Sequence, residues 1–241
     1  MTQFLRLFIH GGSHGAWCWA DVIDLLAKAA PVDECNLAFD LPGCGADQTP
    51  RAEVTLQRQI DAVLSHLDAN QTAKVELVGH SIAGWLLPEI FGRRPAQVIS
   101  VKYIAAVAVP AGSAGIDAIP ESRRARYLQQ AATSVDFTIG LDFDAAWQRF
   151  FNHLDEQQAR AAYAKLTPQP LQPYLDPVSY GPEVITCAKS YLLLTEDRTF
   201  IPAQAGAFAE IVSVTPVIAP GDHCVMLSNP QLVADFVRGN L

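Results

Sequence analysis

The ten residues VELVGHSIAG at 75–84 constrain the fold most, because they place a serine between a buried strand and an apolar helix. Residues 75–78 predict the strand, and residues 82–91 predict the helix. A serine at such a turn adopts strained backbone geometry, with its hydroxyl exposed beside the helix N-terminus. The stretch departs from the pattern G-x-S-x-G by one methyl group, since Ala83 replaces the last glycine. The alternative is an ordinary helix start capped by Ser81.

The chain as a whole alternates strands with helices, which predicts a doubly wound, mostly parallel sheet of about six strands. Buried-strand signals fall at 4–9, 35–39, 75–78, 101–109, 190–194 and 214–218. Apolar residues at helical spacing fall at 17–30, 54–69, 82–91, 203–211 and 230–239. The expected fold class is therefore α/β.

The alternation stops between residues 111 and 183. Three helices are predicted here without a strand, and a proline-rich stretch follows them at 168–182. The three helices are predicted at 122–132, 142–151 and 155–165. We expect residues 111–183 to form a helical cap over the strand ends, and residues 1–110 and 184–241 to form the core. Helices that simply pack on the sheet are the alternative.

Loops at the ends of four predicted strands carry residues suited to nucleophilic catalysis. Ser81, Asp197 and His223 occur in the chain order that α/β-hydrolases use. Because the carboxyl ends of parallel strands share one edge of the sheet, we expect these loops to meet there. A neutral imidazole would take the serine proton, and a carboxylate would orient the imidazole. The expected donors to the oxyanion are the backbone N–H groups of Gly12 and Ile82.

Other residues of the same types are weaker candidates. His223 is preferred because it follows the last strand, and Asp197 is preferred over Glu196 because a shorter carboxylate in mid-loop suits the role. Asp222 is expected to point away from the neighbouring imidazole, and Ser13 lacks a strand-to-helix turn. Of the other histidines, His10 and His80 are expected to support turns through hydrogen bonds. The remaining three are His14, His66 and His153.

Composition and charge exclude several other classes of protein. Half of the 241 residues are hydrophobic and 17% are charged, so the chain is not disordered and can bury a large core. The net charge is −8 and the only basic clusters are two arginine pairs, which disfavours nucleic acids and anionic membranes as partners. No apolar run approaches the roughly 18 residues that a spanning helix needs, and no signal peptide is recognised.

The five cysteines are scattered and include no C-x-x-C pair. They stand at positions 18, 35, 44, 187 and 224. We therefore expect neither a disulfide framework nor a thiolate zinc site, and we expect a cytoplasmic protein. Since no H-E-x-x-H stretch or close histidine–aspartate grouping stands out as a metal site, no metal is expected, and no other cofactor is expected either.

Five stretches together resemble one branch of the α/β-hydrolases, the plant-type esterases and hydroxynitrile lyases with their bacterial relatives. The stretches are HGGSHGAWCW at 10–19, DLPGCG at 40–45, GHSIAG at 79–84, TEDRTFIP at 195–202 and DHCVMLSNP at 222–230. In the predicted cap the match is loose, at FFN in 150–152 and LTPQP in 166–170. The resemblance implies a Ser81–Asp197–His223 triad and an oxyanion hole at Gly12 and Ile82.

Two positions separate this chain from the lyases of that branch. The lyases have a threonine directly after the first-strand histidine and a lysine directly after the catalytic histidine, where this chain has Gly11 and Cys224. Without the lysine ammonium, a leaving cyanide lacks its stabilising charge. The resemblance therefore favours ester hydrolysis over cyanohydrin cleavage.

The sequence thus predicts a serine carboxylic-ester hydrolase that acts on small, fairly apolar esters through an acyl-enzyme intermediate. The expected substrate-binding residues are Trp147, Phe150, Phe151 and Cys224. The three aromatic residues are alternatively core, and the cysteine is alternatively a small buried hydrophobe. Two other functions stay open. One is a lyase or cofactor-free oxygenase that uses His223 and Asp197 as its base, and the other is a ligand receptor that keeps the triad with negligible turnover.

Overall fold

The computed structural model describes residues 4–28 and 34–241. Its strands are β1 (Phe4–Ile9), β2 (Glu34–Ala38), β3 (Lys74–His80), β4 (Val98–Ile104), β5 (Thr138–Ile139), β6 (Gln169–Pro170), β7 (Ala188–Leu194) and β8 (Val217–Ala219). Its helices are α1 (Ala20–Ala27), α2 (Leu56–Asp68), α3 (Leu86–Arg93), α4 (Glu121–Thr133), α5 (Phe143–Phe150), α6 (Glu156–Tyr163), α7 (Gln172–Leu175), α8 (Pro202–Val212), α9 (Val225–Ser228) and α10 (Pro230–Arg238). The end of the predicted helix 17–30 lies outside the described residues.

Six strands form one parallel sheet in the order β2-β1-β3-β4-β7-β8. Successive residues of β1 face opposite sides, so that Leu7 packs with α2 and α3 on one face while Phe8 packs with α1 and α10 on the other. Burial on both faces explains why these strands consist of nearly continuous apolar runs. The predicted doubly wound α/β fold with about six parallel strands is confirmed.

The predicted strand 101–109 is wrong at its second half. The strand β4 ends at Ile104, because Ala105 has a φ of 44° that turns the chain out of the sheet. Residues 105–109 nevertheless stay buried, and the Val107 N–H donates to the carbonyl oxygen of Ser81 across 2.9 Å. Residues 105–109 are therefore a buried apolar segment beside the loop of Ser81, and such a segment has the same sequence pattern as a strand.

Segment 111–183 contains the helices α4 to α7 and lies between β4 and β7 in the chain. The expectation that it contains no strand is wrong, since Thr138–Ile139 and Gln169–Pro170 form a short antiparallel pair. Two-residue strands leave no periodic signal, and the second of them ends in proline. The division into a core of residues 1–110 and 184–241 and a cap of residues 111–183 stays a prediction.

Among the helices of the described ranges, α2 and α4 are the longest, with 13 residues each. Within residues 4–28 and 34–241, none of them combines the length and the apolar character needed to cross a membrane.

Candidate active site

Ser81 lies at a strained turn between β3 and the following helices. Its φ is 55°, in the left-handed region that residues other than glycine rarely adopt. Glycine at position 84 is required by packing, because a Cβ there would overlap the carbonyl oxygen of Val107. Ala83 is fully buried, so its extra methyl group is accommodated. The strand-to-helix turn predicted from the sequence is therefore formed despite the departure from G-x-S-x-G.

The three predicted triad residues come together in one hydrogen-bonded chain. Nε2 of His223 lies 2.9 Å from Oγ of Ser81, and its Nδ1 lies 2.8 Å from Oδ2 of Asp197. An ionised carboxylate can only accept hydrogen bonds, so Nδ1 carries the hydrogen and donates it to Asp197, which leaves Nε2 free to accept a hydrogen bond from the serine hydroxyl. The other Asp197 oxygen accepts the backbone N–H groups of Thr199 at 2.6 Å and Phe200 at 3.0 Å. The carboxylate is thereby fixed from both sides.

The sheet brings these loops to one edge. Asp197 lies three residues beyond the end of β7, and His223 lies four residues beyond the end of β8. The two loops are joined directly, since the Glu196 N–H donates to the carbonyl oxygen of Gly221 across 3.1 Å. Asp222 points away, as expected, and accepts the Ser228 hydroxyl at 2.6 Å. The carboxyl edge of a parallel sheet is where active sites of this fold class lie.

His80, directly before Ser81, supports the histidine loop. Its Nε2–H donates to the carbonyl oxygen of His223 across 2.8 Å. Burial, together with the neighbouring imidazoles of His223 and His14, lowers the pKa of His80 well below its usual value, so the ring is neutral. Gly11 lies against this ring, because a Cβ at position 11 would come within 2.7 Å of the His80 Nδ1. The glycine that distinguishes this chain from the lyases therefore has a packing cause.

Two further histidines shape the glycine loop. His10 donates from Nδ1 to the Gly11 carbonyl oxygen across 2.8 Å and accepts the Leu41 N–H at Nε2. His14 donates from Nδ1 to the Gly12 carbonyl oxygen across 2.7 Å. The expected role of His10 in supporting a turn is therefore seen in these contacts, and His14 has a similar one.

Gly12 and Ile82, the expected oxyanion donors, both line a cavity that opens onto Ser81 and His223. A Cβ at position 12 would lie 2.7 Å from the Tyr174 hydroxyl, so a side chain there would require that buried ring to move. Among the described residues, the backbone N–H of Gly12 has no hydrogen-bond acceptor. That the N–H groups of Gly12 and Ile82 stabilise an oxyanion remains a proposal.

The walls of this cavity come mainly from segment 111–183 and are largely apolar, with a few polar groups. Only one of the four predicted substrate-binding residues, Phe150, belongs to them. Its ring stacks on His223 with centroids 5.7 Å apart. The lining residues that the sequence did not single out are Ile119, Arg123, Tyr127, Ile139, Gly140, Leu141, Arg149, Gln169, Tyr174, Thr199 and Phe200.

The expected pocket positions of Trp147, Phe151 and Cys224 are not seen. Phe151 and Cys224 are both fully buried behind the cavity wall. The Cys224 thiol lies 3.3 Å from Nε2 of His14, and burial raises its pKa well above the usual value. Trp147 does not line the cavity, and it donates its Nε1–H to the Leu154 carbonyl oxygen across 3.0 Å. Phe151 and Cys224 belong to the core, and Trp147 is partly buried against the same cluster, as the alternatives for these residues allowed.

Most of the missed lining residues carry no sequence signal. Thr199 and Phe200 fall within TEDRTFIP, and Gln169 falls within LTPQP, so two of the recognised stretches contained them. Arg123 belongs to one of the two arginine pairs, but nothing in the sequence predicts that it lines a cavity. Within the described part of the chain, no group of three or more histidine, cysteine, aspartate or glutamate side chains is placed to hold a metal ion.

Sequence comparison assigns the class of protein. The sequence model of the alpha/beta hydrolase family matches residues 7–236, nearly the whole chain, and the protein belongs to that family. Methylesterase 18 of Arabidopsis thaliana is 24% identical over 98% of this chain and 97% of its own length. Pheophorbidase of Raphanus sativus is 26% identical over 96% of this chain and 91% of its own.

Comparison of structures agrees with this placement. An extracellular alpha/beta-hydrolase from a Paenibacillus species, described as sharing homology with tobacco salicylic acid binding protein 2, superposes with a TM-score of 0.88. It is 22% identical and covers 98% of both chains, which establishes the shared fold. The protein is thus a hydrolase of the alpha/beta hydrolase family, and it is similar to the plant-type esterases, as the sequence motifs indicated.

Proposed function

We propose that the protein is a serine carboxylic-ester hydrolase that works through an acyl-enzyme intermediate. The observation that carries the proposal is the 2.9 Å contact between Nε2 of His223 and Oγ of Ser81, backed by Asp197 at Nδ1. This is the relay that a serine hydroxyl needs to lose its proton at neutral pH.

In the proposed first half-reaction, Oγ of Ser81 attacks the ester carbonyl carbon while His223 takes the hydroxyl proton. The backbone N–H groups of Gly12 and Ile82 stabilise the resulting oxyanion, a contribution that typically accounts for about 10²–10³ in rate per donor. The imidazolium then protonates the leaving alcohol oxygen. In the second half-reaction His223 deprotonates a water molecule that attacks the acyl carbon, and the imidazolium then returns this proton to Oγ of Ser81 as the carboxylic acid leaves.

The proposed substrates are small esters whose part near the scissile bond is apolar. Ile82, Ile119, Leu141 and Phe150 line the cavity that opens onto Ser81. Because a relative is named methylesterase, we expect methanol to be the alcohol part of the ester. Methyl and p-nitrophenyl esters are therefore the first panel to assay.

The cytoplasm is the proposed location. All five cysteines are unpaired, and three of them, Cys18, Cys44 and Cys224, are buried. Free thiols are typical of reducing compartments.

A serine-exchange experiment tests the mechanism. Ser81→Ala should lower kcat/KM for methyl and p-nitrophenyl esters by about 10⁴ or more, because the nucleophile is lost. The matched control is Ser13→Ala, which removes a second hydroxyl from the same cavity. Undiminished turnover by Ser81→Ala that is lost in His223→Ala would assign a lyase or oxygenase reaction instead. Tight ligand binding without turnover by the wild type would assign a receptor.

A further inference from the structure

Two arginines line the cavity above the triad. Arg123 comes from α4 and Arg149 from α5, and both border the same space as Ser81 and His223. Among the described lining residues they are the only ones with a formal charge at neutral pH, apart from the titratable histidines. The protein as a whole carries a net charge of −8, so this concentration of positive charge is local.

Neither arginine is neutralised by a carboxylate. Arginines at the surface do form such pairs, as Arg160 does with Glu156 at 2.7 Å and Arg94 with Asp68 at 2.9 Å. Within residues 4–28 and 34–241, no acidic side chain lies within ion-pair distance of either cavity arginine. Burying two guanidinium groups in one cavity without counter-charges costs free energy, and an anionic ligand that binds there would offset this cost.

The remaining contacts of the two arginines leave donors unused. Arg123 donates from Nη1 to the carbonyl oxygen of Thr199 across 3.0 Å. Arg149 reaches the Tyr127 hydroxyl from Nη2 at 3.5 Å, while its Nε and Nη1 are buried without a partner among the described residues. Buried polar groups are almost always hydrogen-bonded in proteins, and these donors are available to a ligand in the cavity. Burial and the neighbouring Arg149 also lower the pKa of Arg123.

Asp197 is the acidic group that raises the pKa of Arg123 through its charge, yet it is not an ion-pair partner of this arginine. One of its oxygens binds His223, and the other binds the N–H groups of Thr199 and Phe200. Both carboxylate oxygens are therefore already engaged within the triad and its own loop.

One aromatic ring separates Arg149 from the proposed base, and Arg123 lines the same cavity. The Arg149 guanidinium carbon is 5.4 Å from the centroid of the Phe150 ring, and that ring is 5.7 Å from the ring of His223. A substrate whose carbonyl lies at Ser81 would therefore reach the arginines with a group a few bonds further along. Guanidinium forks match the planar geometry of a carboxylate.

We propose that Arg123 and Arg149 bind a free carboxylate on the acyl part of the substrate. The preferred substrates are then half-esters of short dicarboxylic acids, apolar at the ester and anionic at the far end. Hydrolysis consumes one water molecule and yields the dicarboxylate, the alcohol and one proton. This inference rests on the proposed ester hydrolysis. It narrows the proposed substrates from small, fairly apolar esters to those that also carry a free carboxylate on the acyl part.

A purely structural role is the rival explanation, since Arg123 holds the carbonyl oxygen of Thr199 two residues beyond Asp197. A structural role would lower activity on charged and neutral esters alike. A carboxylate site changes the ratio between them.

The experiment compares kcat/KM for monomethyl glutarate and dimethyl glutarate, which differ in one methyl group and one charge. The wild type should prefer the half-ester, and Arg149→Gln and Arg123→Gln should each lower that preference about tenfold or more, as expected for a charge-assisted hydrogen bond. Arg160→Gln, which removes the same charge from the surface of α6, should keep the wild-type ratio. Equal ratios in all four proteins would overturn the proposal.

A binding measurement separates this inference from the proposed function. Calorimetry of glutarate on the Ser81→Ala variant should show binding that Arg149→Gln, added to that variant, weakens by about tenfold. If the wild type hydrolyses dimethyl glutarate through Ser81 but glutarate does not bind, the carboxylate site is wrong and the esterase stands. If Ser81→Ala hydrolyses esters normally, the esterase mechanism is wrong, and the calorimetry still decides the carboxylate site.

Discussion

His80 donates its Nε2–H to the backbone carbonyl oxygen of His223 across 2.8 Å, so the residue before Ser81 holds the loop that carries the proposed base. The two rings are 4.7 Å apart, and His80 is fully buried. Because its pKa is lowered well below the usual value, His80 acts here as a neutral hydrogen-bond donor. It is a positioning residue rather than a catalytic one.

Removal of that donor should misplace the base. We expect His80→Leu to lower kcat about tenfold, as the loss of one buried hydrogen bond allows, with a smaller change in KM. His80→Gln, whose amide can supply an N–H at a similar position, should recover part of the rate. The measurement is kcat per active site titrated with a covalent serine probe, so that misfolded protein is not counted. An unchanged kcat per titrated site in His80→Leu would contradict this role.

Gly11 should tolerate no side chain. A Cβ at this position would lie 2.7 Å from Nδ1 of His80 and 2.9 Å from Cβ of Ser81, and both neighbours are buried. We expect Gly11→Ala to lower kcat/KM at least about tenfold, because a shift of the nucleophile of even about 1 Å costs that much or more.

The control for the glycine experiment is Gly206→Ala in α8, where a Cβ meets nothing within 4 Å. This control should retain wild-type activity, and the exchange should stabilise the helix by about 0.5–1 kcal/mol. Full activity in Gly11→Ala would mean that the loop moves freely away from His80.

Stability should fall in acid because of buried neutral histidines. Burial lowers the pKa of His14 from 6.5 to about 3, and it also lowers the pKa of His10 and His80. The unfolded state therefore binds more protons than the folded state below about pH 6.5. The stability conferred by these groups is complete above that pH and is lost as the pH falls towards the folded-state pKa.

For His14 alone, the shift predicts a loss of about 2 kcal/mol in the free energy of unfolding between pH 7 and pH 5. Urea unfolding at the two pH values measures the total. His14→Asn keeps a donor for the Gly12 carbonyl oxygen and removes the titrating ring, so its pH dependence should be smaller by about that amount. An equal pH dependence in variant and wild type would contradict the assignment of a neutral buried ring.

The buried thiols should resist alkylation in the folded enzyme. Cys224 is fully buried against His14, and burial raises the pKa of Cys224 and of Cys44, the latter to about 12. Since the thiolate is the reactive form, we expect iodoacetamide to label only Cys35 and Cys187, which are partly exposed, without loss of activity. Peptide mass spectrometry after timed labelling checks this. Inactivation that parallels modification of Cys224 would show that this thiol is accessible after all.

The parts of the fold that depend on periodicity were predictable. The apolar runs of β1, β3 and β7 and the turn at Ser81 are local patterns, and their parallel order follows from the intervening helices. The end of β4 was not predictable, because residues 105–109 are as apolar and as buried as a strand but leave the sheet at Ala105. Burial and strand pairing produce the same sequence pattern there.

The candidate site was predictable only where chemistry restricts residue type. Ser81, Asp197 and His223 have few competitors at strand ends, and the structure brings all three together. The cavity wall is different, since aromatic residues at near-helical spacing serve equally as core or lining. Phe150 faces the cavity, whereas Phe151, the first residue after α5, leaves the helical conformation and is fully buried.

The acyl-enzyme itself gives the most direct test of the account. Wild-type enzyme mixed with p-nitrophenyl acetate and quenched in acid within the first turnover should gain the mass of one acetyl group, located by peptide fragmentation on Ser81. His223→Ala should gain almost none in the same time, because the serine keeps its proton. An acetyl group on another residue, or rapid product release by the wild type with Ser81 never acylated, would contradict the proposed mechanism.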